Sequence, residues 1–311
     1  MQPAPFYQDV ADGPPGGRAW WLTTPDGLRI RAGLWPREGA RGTVLLFPGR
    51  TEYIEKYGRT ARALEAAGYA TLTLDWRGQG LSDRLTEDGM AGHVLHFGDY
   101  QADVATLVAA AEGMGLARPW YLLAHSMGGC IGLRAAMEGL PVAACAFSAP
   151  MWGIRIRGSL RPVAWSLSWS VRRVGLGHLY APGTTRGNYI LSEPFETNKL
   201  TRDPDMYRYM FEQGRAHPEL ALGGPSLRWL HEALTECLRL SRRPAPALPC
   251  LTVAGTAEEI VDQERIRLRM RKWPGGVLEM IEGARHEVLM ETAQVRDELT
   301  GRLCRFFADH G

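Results

Sequence analysis

The sequence predicts an α/β fold: a mostly parallel sheet flanked by helices and interrupted once by a mainly helical insertion. Three observations predict it. Short apolar runs alternate with amphipathic helical stretches through the first half, as expected for strands buried on both faces between helices. The alternation stops at Met151 and resumes at Cys250. One strand runs directly into a sharp turn and a helix at Ser126.

Taken in order, Arg18–Thr23 and Leu28–Trp35 read as an antiparallel pair joined at Pro25-Asp26-Gly27, a turn sequence. Thr43–Phe47 is a continuous apolar strand, Tyr53–Ala67 a helix ending at Gly68, and Ala70–Trp76 the next strand. Asp99 is placed to cap a helix on which Val104, Leu107, Val108 and Ala111 follow helical spacing. Trp120–Ala124 is a strand, Met127–Met137 a helix and Val142–Phe147 the sixth strand. Cys250–Ala254 and Val277–Ile281 bring the expected total to eight, and a helix carrying Val295, Leu299, Leu303 and Phe306 closes the chain. Residues 151–247 offer helical fragments, Gly/Pro breaks and four of the ten tryptophans.

Composition narrows the function classes. Hydrophobic residues at 45% and charged residues at 23% describe an ordinary globular chain, and a net charge of +2 does not suggest a nucleic-acid partner. The five cysteines are scattered without a CxxC pair, which argues against a disulfide framework or a zinc site and fits a reducing cytoplasm. Met1–Gly17 lacks the basic start and apolar run of a secretory signal. No stretch approaches the roughly 18 apolar residues that span a bilayer. A cytoplasmic protein is expected, with room for peripheral contact at the inner membrane face. Nothing in the sequence sets an oligomeric state.

The chemistry centres on Tyr121-Leu122-Leu123-Ala124-His125-Ser126-Met127-Gly128-Gly129. A strand–turn–helix junction of this kind holds a serine hydroxyl exposed above the sheet edge. Small residues two positions before and after the serine let strand and helix approach. Here they are Ala124, where glycine is usual, and Gly128. The plainer reading is a serine in a helix-capping turn.

A serine needs a base and an orienting acid, which follow such an elbow in the order acid, then histidine. His286 lies just past the last strand, where a loop carries it to the sheet edge. His310 is terminal, His231 lies in a helical pattern, and His125 adjoins the serine but points elsewhere. After Cys250–Ala254 three carboxylates compete. Glu258 is favoured by its place three residues past Gly255, Glu259 faces away, and Asp262 is the rival, although it also fits a helix cap. Backbone donors for an oxyanion are expected from Met127 and from Arg50 in the Pro48–Thr51 loop, since Pro48 has no N–H.

Four segments together resemble the lysophospholipase and monoacylglycerol-lipase branch of the α/β-hydrolase superfamily. They are Phe47-Pro48-Gly49-Arg50-Thr51-Glu52-Tyr53-Ile54-Glu55-Lys56-Tyr57, Asp75-Trp76-Arg77-Gly78-Gln79-Gly80-Leu81-Ser82, Ala124–Gly129 and Gly283-Ala284-Arg285-His286-Glu287. The match is nearest to bacterial lysophospholipases and departs at Pro48, where many relatives have His, and at Glu258, where many have Asp. The resemblance implies carboxylester hydrolysis without cofactor or metal, on a lipid-like monoacyl ester: lysophospholipid first, monoacylglycerol second. Ser126 attacks and His286 relays the proton. It also implies a catalytic domain of residues 1–150 and 248–311, with residues 151–247 forming a helical cap after the sixth strand.

Met151–Ser192 carries Arg155, Arg157, Arg161, Arg172, Arg173 and Arg186 with no Asp or Glu, together with Trp152, Trp165 and Trp169. Residues 151–247 sum to +6 and the remainder to −4. A basic, aromatic surface suits anionic headgroups and acyl chains, so Trp152, Arg155, Trp165 and Trp169 are candidate substrate contacts. Alternatively, the arginines are merely solvated and the tryptophans pack the cap onto the body. An acyltransferase would use the same acyl-enzyme. A proline-iminopeptidase-type peptidase would need acidic groups for a substrate amine, and a non-catalytic binding relative would not need the filled triad positions.

Overall fold

In a computed structural model the structure describes residues 1–155 and 175–311. A single sheet runs through the molecule in the order β1-β2-β3-β5-β4-β6-β7-β8-β9. Its strands are β1 (Gln2–Ala4), β2 (Arg18–Thr23), β3 (Arg29–Trp35), β4 (Thr43–Phe47), β5 (Ala70–Asp75), β6 (Trp120–His125), β7 (Ala144–Ser148), β8 (Cys250–Gly255) and β9 (Val277–Ile281). Pairings β1–β2, β2–β3 and β3–β5 are antiparallel and the rest parallel. Among the described residues the count is nine, not the expected eight, because Gln2–Ala4 pairs with Ala19–Trp21. Three residues containing a proline carry no strand periodicity of their own. Backbone pairing along the exposed edge of β2 recruits them.

The five strands β4 to β8 are buried along their whole length. Their side chains alternate between two cores, as a period of two requires. Leu45 and Phe47 join Leu72, Leu74, Leu122 and Trp120 on one face, while Val44 and Leu46 join Leu123, Ala146, Tyr121 and Phe307 on the other. Both faces are therefore apolar and must be covered.

Two local expectations change. The helix expected over Tyr53–Ala67 is a 3-10 turn at Ile54–Tyr57 followed by an α-helix at Gly58–Ala66. A Cβ at Gly58 would lie 1.7 Å from the Ala11 carbonyl, so the chain passes too close there for any side chain. Asp99 does precede the helix Tyr100–Gly113, but its carboxylate accepts from the His96 amide at 3.1 Å instead of capping that helix. The 3-10 turn Phe97–Asp99 had already given Asp99 helical backbone angles.

The described part of residues 151–247 holds no member of the sheet. Its longer helices are Pro204–Ala216, capped by Asp203, and Leu227–Ser241, capped by Ser226. Met206, Tyr209 and Met210 of the first join one core, and Trp229, Ala233 and Cys237 of the second join the other. The turn Ala221–Ser226 connects them, and Ser226 also meets His93 Nδ1 at 2.9 Å.

Candidate active site

Ser126 is the first residue of the helix Ser126–Met137, directly after β6, with φ of 50°. A left-handed non-glycine residue is strained, and here the strain lifts the hydroxyl off the sheet edge. The glycine at 128 is obligatory: a Cβ there would lie 2.2 Å from the Phe47 carbonyl and 2.4 Å from that of Pro48. Ala124 is tolerated because Gly132 faces it. Even a methyl at 132 would sit 3.2 Å from the Ala124 Cβ, so the helix supplies the room the strand gave up.

His286, on the loop after β9, brings Nε2 to 2.9 Å from Ser126 Oγ and Nδ1 to 2.6 Å from Glu258 Oε2. A carboxylate can only accept, so the network assigns the proton to Nδ1 and leaves Nε2 to accept from the serine hydroxyl. All three side chains are buried. The Ile260 and Val261 amides donate to Glu258 Oε1 at 2.5 and 3.1 Å. Burial pushes the Glu258 carboxyl up, but His286 and these two amides outweigh it and hold the group below its ordinary value. These contacts favour its ionised form.

The competing carboxylates have other work. Asp262 accepts from the Glu264 and Arg265 amides at 3.1 and 3.3 Å and caps the helix Gln263–Met270. Glu259 is exposed, 3.5 Å from Lys199 Nζ. His125 points away from the serine, with Nδ1 3.0 Å from the Ser148 carbonyl.

The loop Pro48–Glu52 passes beside Ser126. Thr51 is left-handed at φ of 66°, and Gln79 accepts from its amide at 3.3 Å while donating to the Gly49 carbonyl at 2.9 Å. The Gly49 amide donates to Glu52. Among the described residues the Arg50 amide has no internal acceptor. Met127 lies in the first turn of its helix, where amides lack intrahelical partners. Two backbone donors therefore lie beside the serine.

A buried charge cluster under this site was not apparent from the motifs. Lys56 Nζ bridges Glu52 Oε1 at 2.5 Å and Glu287 Oε1 at 2.7 Å. His125 Nε2 stands 3.3 Å from Glu287 Oε2 and 3.6 Å from Glu52 Oε1, and Tyr57 donates to Glu52 at 2.5 Å. Burial alone would discharge His125, but Glu287 and Glu52 win and raise its pKa. Lys56 behaves the same way. Glu287 is held well below its ordinary value, since Lys56 and His125 overcome its burial. Glu52, His125 and Glu287 could together face a cation, but the Lys56 ammonium already bridges the two carboxylates. The cluster ties the Pro48–Glu52 loop to the neighbours of both Ser126 and His286. Glu52, Lys56, His125 and Glu287 all lie within the family-like segments, but nothing local in those segments says that they meet.

A cavity of about 220 Å³ opens above Ser126 and His286, with Tyr189, Ile190, Leu200, Met210 and Ile260 as an apolar wall. Of the candidate substrate contacts, Trp152 and Arg155 do not line this cavity. Trp152 is buried, donates to the Gly129 carbonyl at 3.1 Å and stacks near Trp273. Arg155 donates to the Glu258 carbonyl at 3.0 Å and lines a larger, polar depression of about 490 Å³ on the acid loop. Each donates to a backbone carbonyl of the body. Trp165 and Trp169 lie outside the described residues, as do Arg157, Arg161, Arg172 and Arg173. Arg186 is exposed, 3.2 Å from Asp88.

A family model described as serine aminopeptidase, S33, matches residues 38–293. The chain is 33% identical over 277 residues to lysophospholipase L2 of Escherichia coli, covering 86% of this chain and 80% of that protein. It is 28% identical to the probable lysophospholipase L2 of Haemophilus influenzae, covering 86% and 84%. A soluble variant of monoglyceride lipase from Saccharomyces cerevisiae shares the fold, with a TM-score of 0.74, 20% identity and 99% of each chain covered. The chain therefore belongs to the serine aminopeptidase S33 family of α/β-hydrolases and is an ester hydrolase similar to the lysophospholipases and monoacylglycerol lipases.

Proposed function

We propose that the protein is a serine carboxylester hydrolase that cleaves a monoacyl lipid ester, lysophospholipid first and monoacylglycerol second. The observation that carries this reading is the Ser126–His286–Glu258 relay beneath an apolar wall. Ser126 Oγ attacks the ester carbonyl carbon while His286 Nε2 takes its proton. The Arg50 and Met127 amides hold the oxyanion. His286 then protonates the leaving alkoxide, and the acyl group stays on Ser126. Water, deprotonated by the same nitrogen, attacks the acyl-enzyme and releases the fatty acid. Glu258 remains ionised throughout and keeps the imidazole in the tautomer that accepts from serine.

Residues 151–247 act in this reading as a cap, with residues 1–150 and 248–311 as the catalytic body. The basic stretch at the start of the cap favours peripheral contact with an anionic membrane surface. Among the described residues no helix is long and apolar enough to cross a membrane.

The test is fatty-acid release from lysophosphatidylcholine. Ser126→Ala is expected to lower the rate by about 10⁴-fold or more. Equal rates in wild type and variant would remove Ser126 from the mechanism, and folded wild type without release would refute the substrate class.

A further inference from the structure

Arg50 brings two groups to the site: an amide and a guanidinium. Arg50 lines the Ser126 cavity and, taken over the whole residue, is partly exposed. Among the described residues the guanidinium's one acceptor is the Gly223 carbonyl at 3.0 Å, and it lies 5.5 Å from the ring centre of Trp229. A Cβ at Gly92 would come within 2.7 Å of its Nη1, so a bare backbone leaves it room. Burial lowers its pKa to about 10, with no carboxylate opposing that.

Other inward-facing arginines are compensated. Arg31 pairs with Glu55 and Asp75, and Arg77 with Asp26 and Asp103. Arg84 and Arg269 lack acids but donate to four and two carbonyls respectively. Among the described residues Arg50 has one carbonyl for five N–H donors. No acid is available from residues 156–174 either, since that stretch contains no Asp or Glu. A guanidinium desolvated without a counter-charge is costly, and a planar fork of free donors matches the oxygens of a phosphate.

We propose that the Arg50 side chain is the subsite for a phosphate in the substrate headgroup, so that the site prefers monoacyl glycerophosphate esters to neutral monoacylglycerols. The assignment rests on reading Ser126 as the nucleophile of an ester hydrolase. Its geometry follows from one residue holding both ends. With the Arg50 amide on the scissile carbonyl oxygen, the guanidinium lies one arginine side chain away. A three-carbon glycerol unit separates the ester from the phosphate by a similar span.

The experiment uses a matched pair, 1-oleoylglycerol 3-phosphate and 1-oleoylglycerol, in the same neutral detergent micelles. Arg50→Met should lower the ratio of kcat/KM for the phosphate ester to that for the neutral ester by about 10- to 100-fold, whatever loss the two share. Arg50→Lys should restore part of the ratio. An unchanged ratio in Arg50→Met overturns the subsite.

Inorganic phosphate added to the 1-oleoylglycerol assay separates a headgroup from a free anion. A site for the free anion would change that rate in wild type, not in Arg50→Met, while leaving the substrate ratio alone, and would overturn the headgroup assignment. Binding of 1-oleoylglycerol 3-phosphate to Ser126→Ala, with and without Arg50→Met, tests Arg50 apart from turnover. Weaker binding with Arg50→Met supports the subsite even if wild type hydrolyses neither ester, in which case the hydrolase reading alone has failed. Equal binding refutes the subsite.

Discussion

The floor of the cavity and the described segment around it handle charge in opposite ways. Beneath Ser126, Glu52, Lys56, His125 and Glu287 are nearly or fully buried, and every charge has a counter-charge within hydrogen-bond or ion-pair reach. In residues 175–247 many charges pair at the surface. Arg208 with Asp205 and Arg215 with Glu212 are examples, each residue at least 47% exposed. Buried pairs are strongly geometry-dependent and hard to break, whereas exposed pairs are screened and weak. The catalytic loops are thus held by a pre-set electrostatic frame. The surrounding helices are held by apolar packing into the two cores and can vary in charge at little cost.

The contrast is broken most severely at Lys56. Lys56→Met leaves Glu52 and Glu287 facing each other without their bridge and should destabilise the fold by about 3–5 kcal/mol in urea unfolding. A loss below about 1 kcal/mol would mean that the cluster is hydrated and not a frame.

pH sharpens the same comparison. The folded pKa of Glu287 is depressed, so its contribution is full above the ordinary 4.5 and is lost as pH falls toward the depressed value. The folded pKa of His125 is raised, so its contribution is full below the ordinary 6.5 and is lost as pH rises through the raised value. Melting temperature should therefore be highest between these two values and fall on both sides. His125→Asn should flatten the alkaline fall. An alkaline limb of equal slope in wild type and variant would show that His125 carries no charge in the cluster.

The smallest effect belongs to the surface. Arg208→Ala removes an exposed i,i+3 partner and should change stability by no more than about 0.5 kcal/mol. A loss comparable to that of Lys56→Met would erase the distinction between the two regions.

Much of the site could be read from contiguous residues. The strand–turn–helix around Ser126, the loop position of His286 and the cap at Asp262 are local patterns, each encoded within a few neighbours. Even the Ala124 departure left the elbow recognisable, although only the structure explains it through Gly132. The choice of Glu258 over Asp262 needed tertiary structure, because each was a plausible partner until His286 was placed in space. Trp152 and Arg155 show what residue type alone leaves open. Their residue types suited a lipid surface, but the Gly129 and Glu258 carbonyls captured them, and no local pattern announces a carbonyl from another segment.

By itself, then, the sequence determined the alternating α/β body, the elbow and the histidine loop, because hydrophobic period and turn chemistry act over a handful of residues. Tertiary structure decided the ninth strand, which carboxylate meets His286, the buried charge frame and the unmatched guanidinium. Those depend on which groups meet across the fold, as Lys56 and Glu287 do at a separation of 231 residues. Desolvation turns such meetings into energy, and burial exists only once the chain has folded.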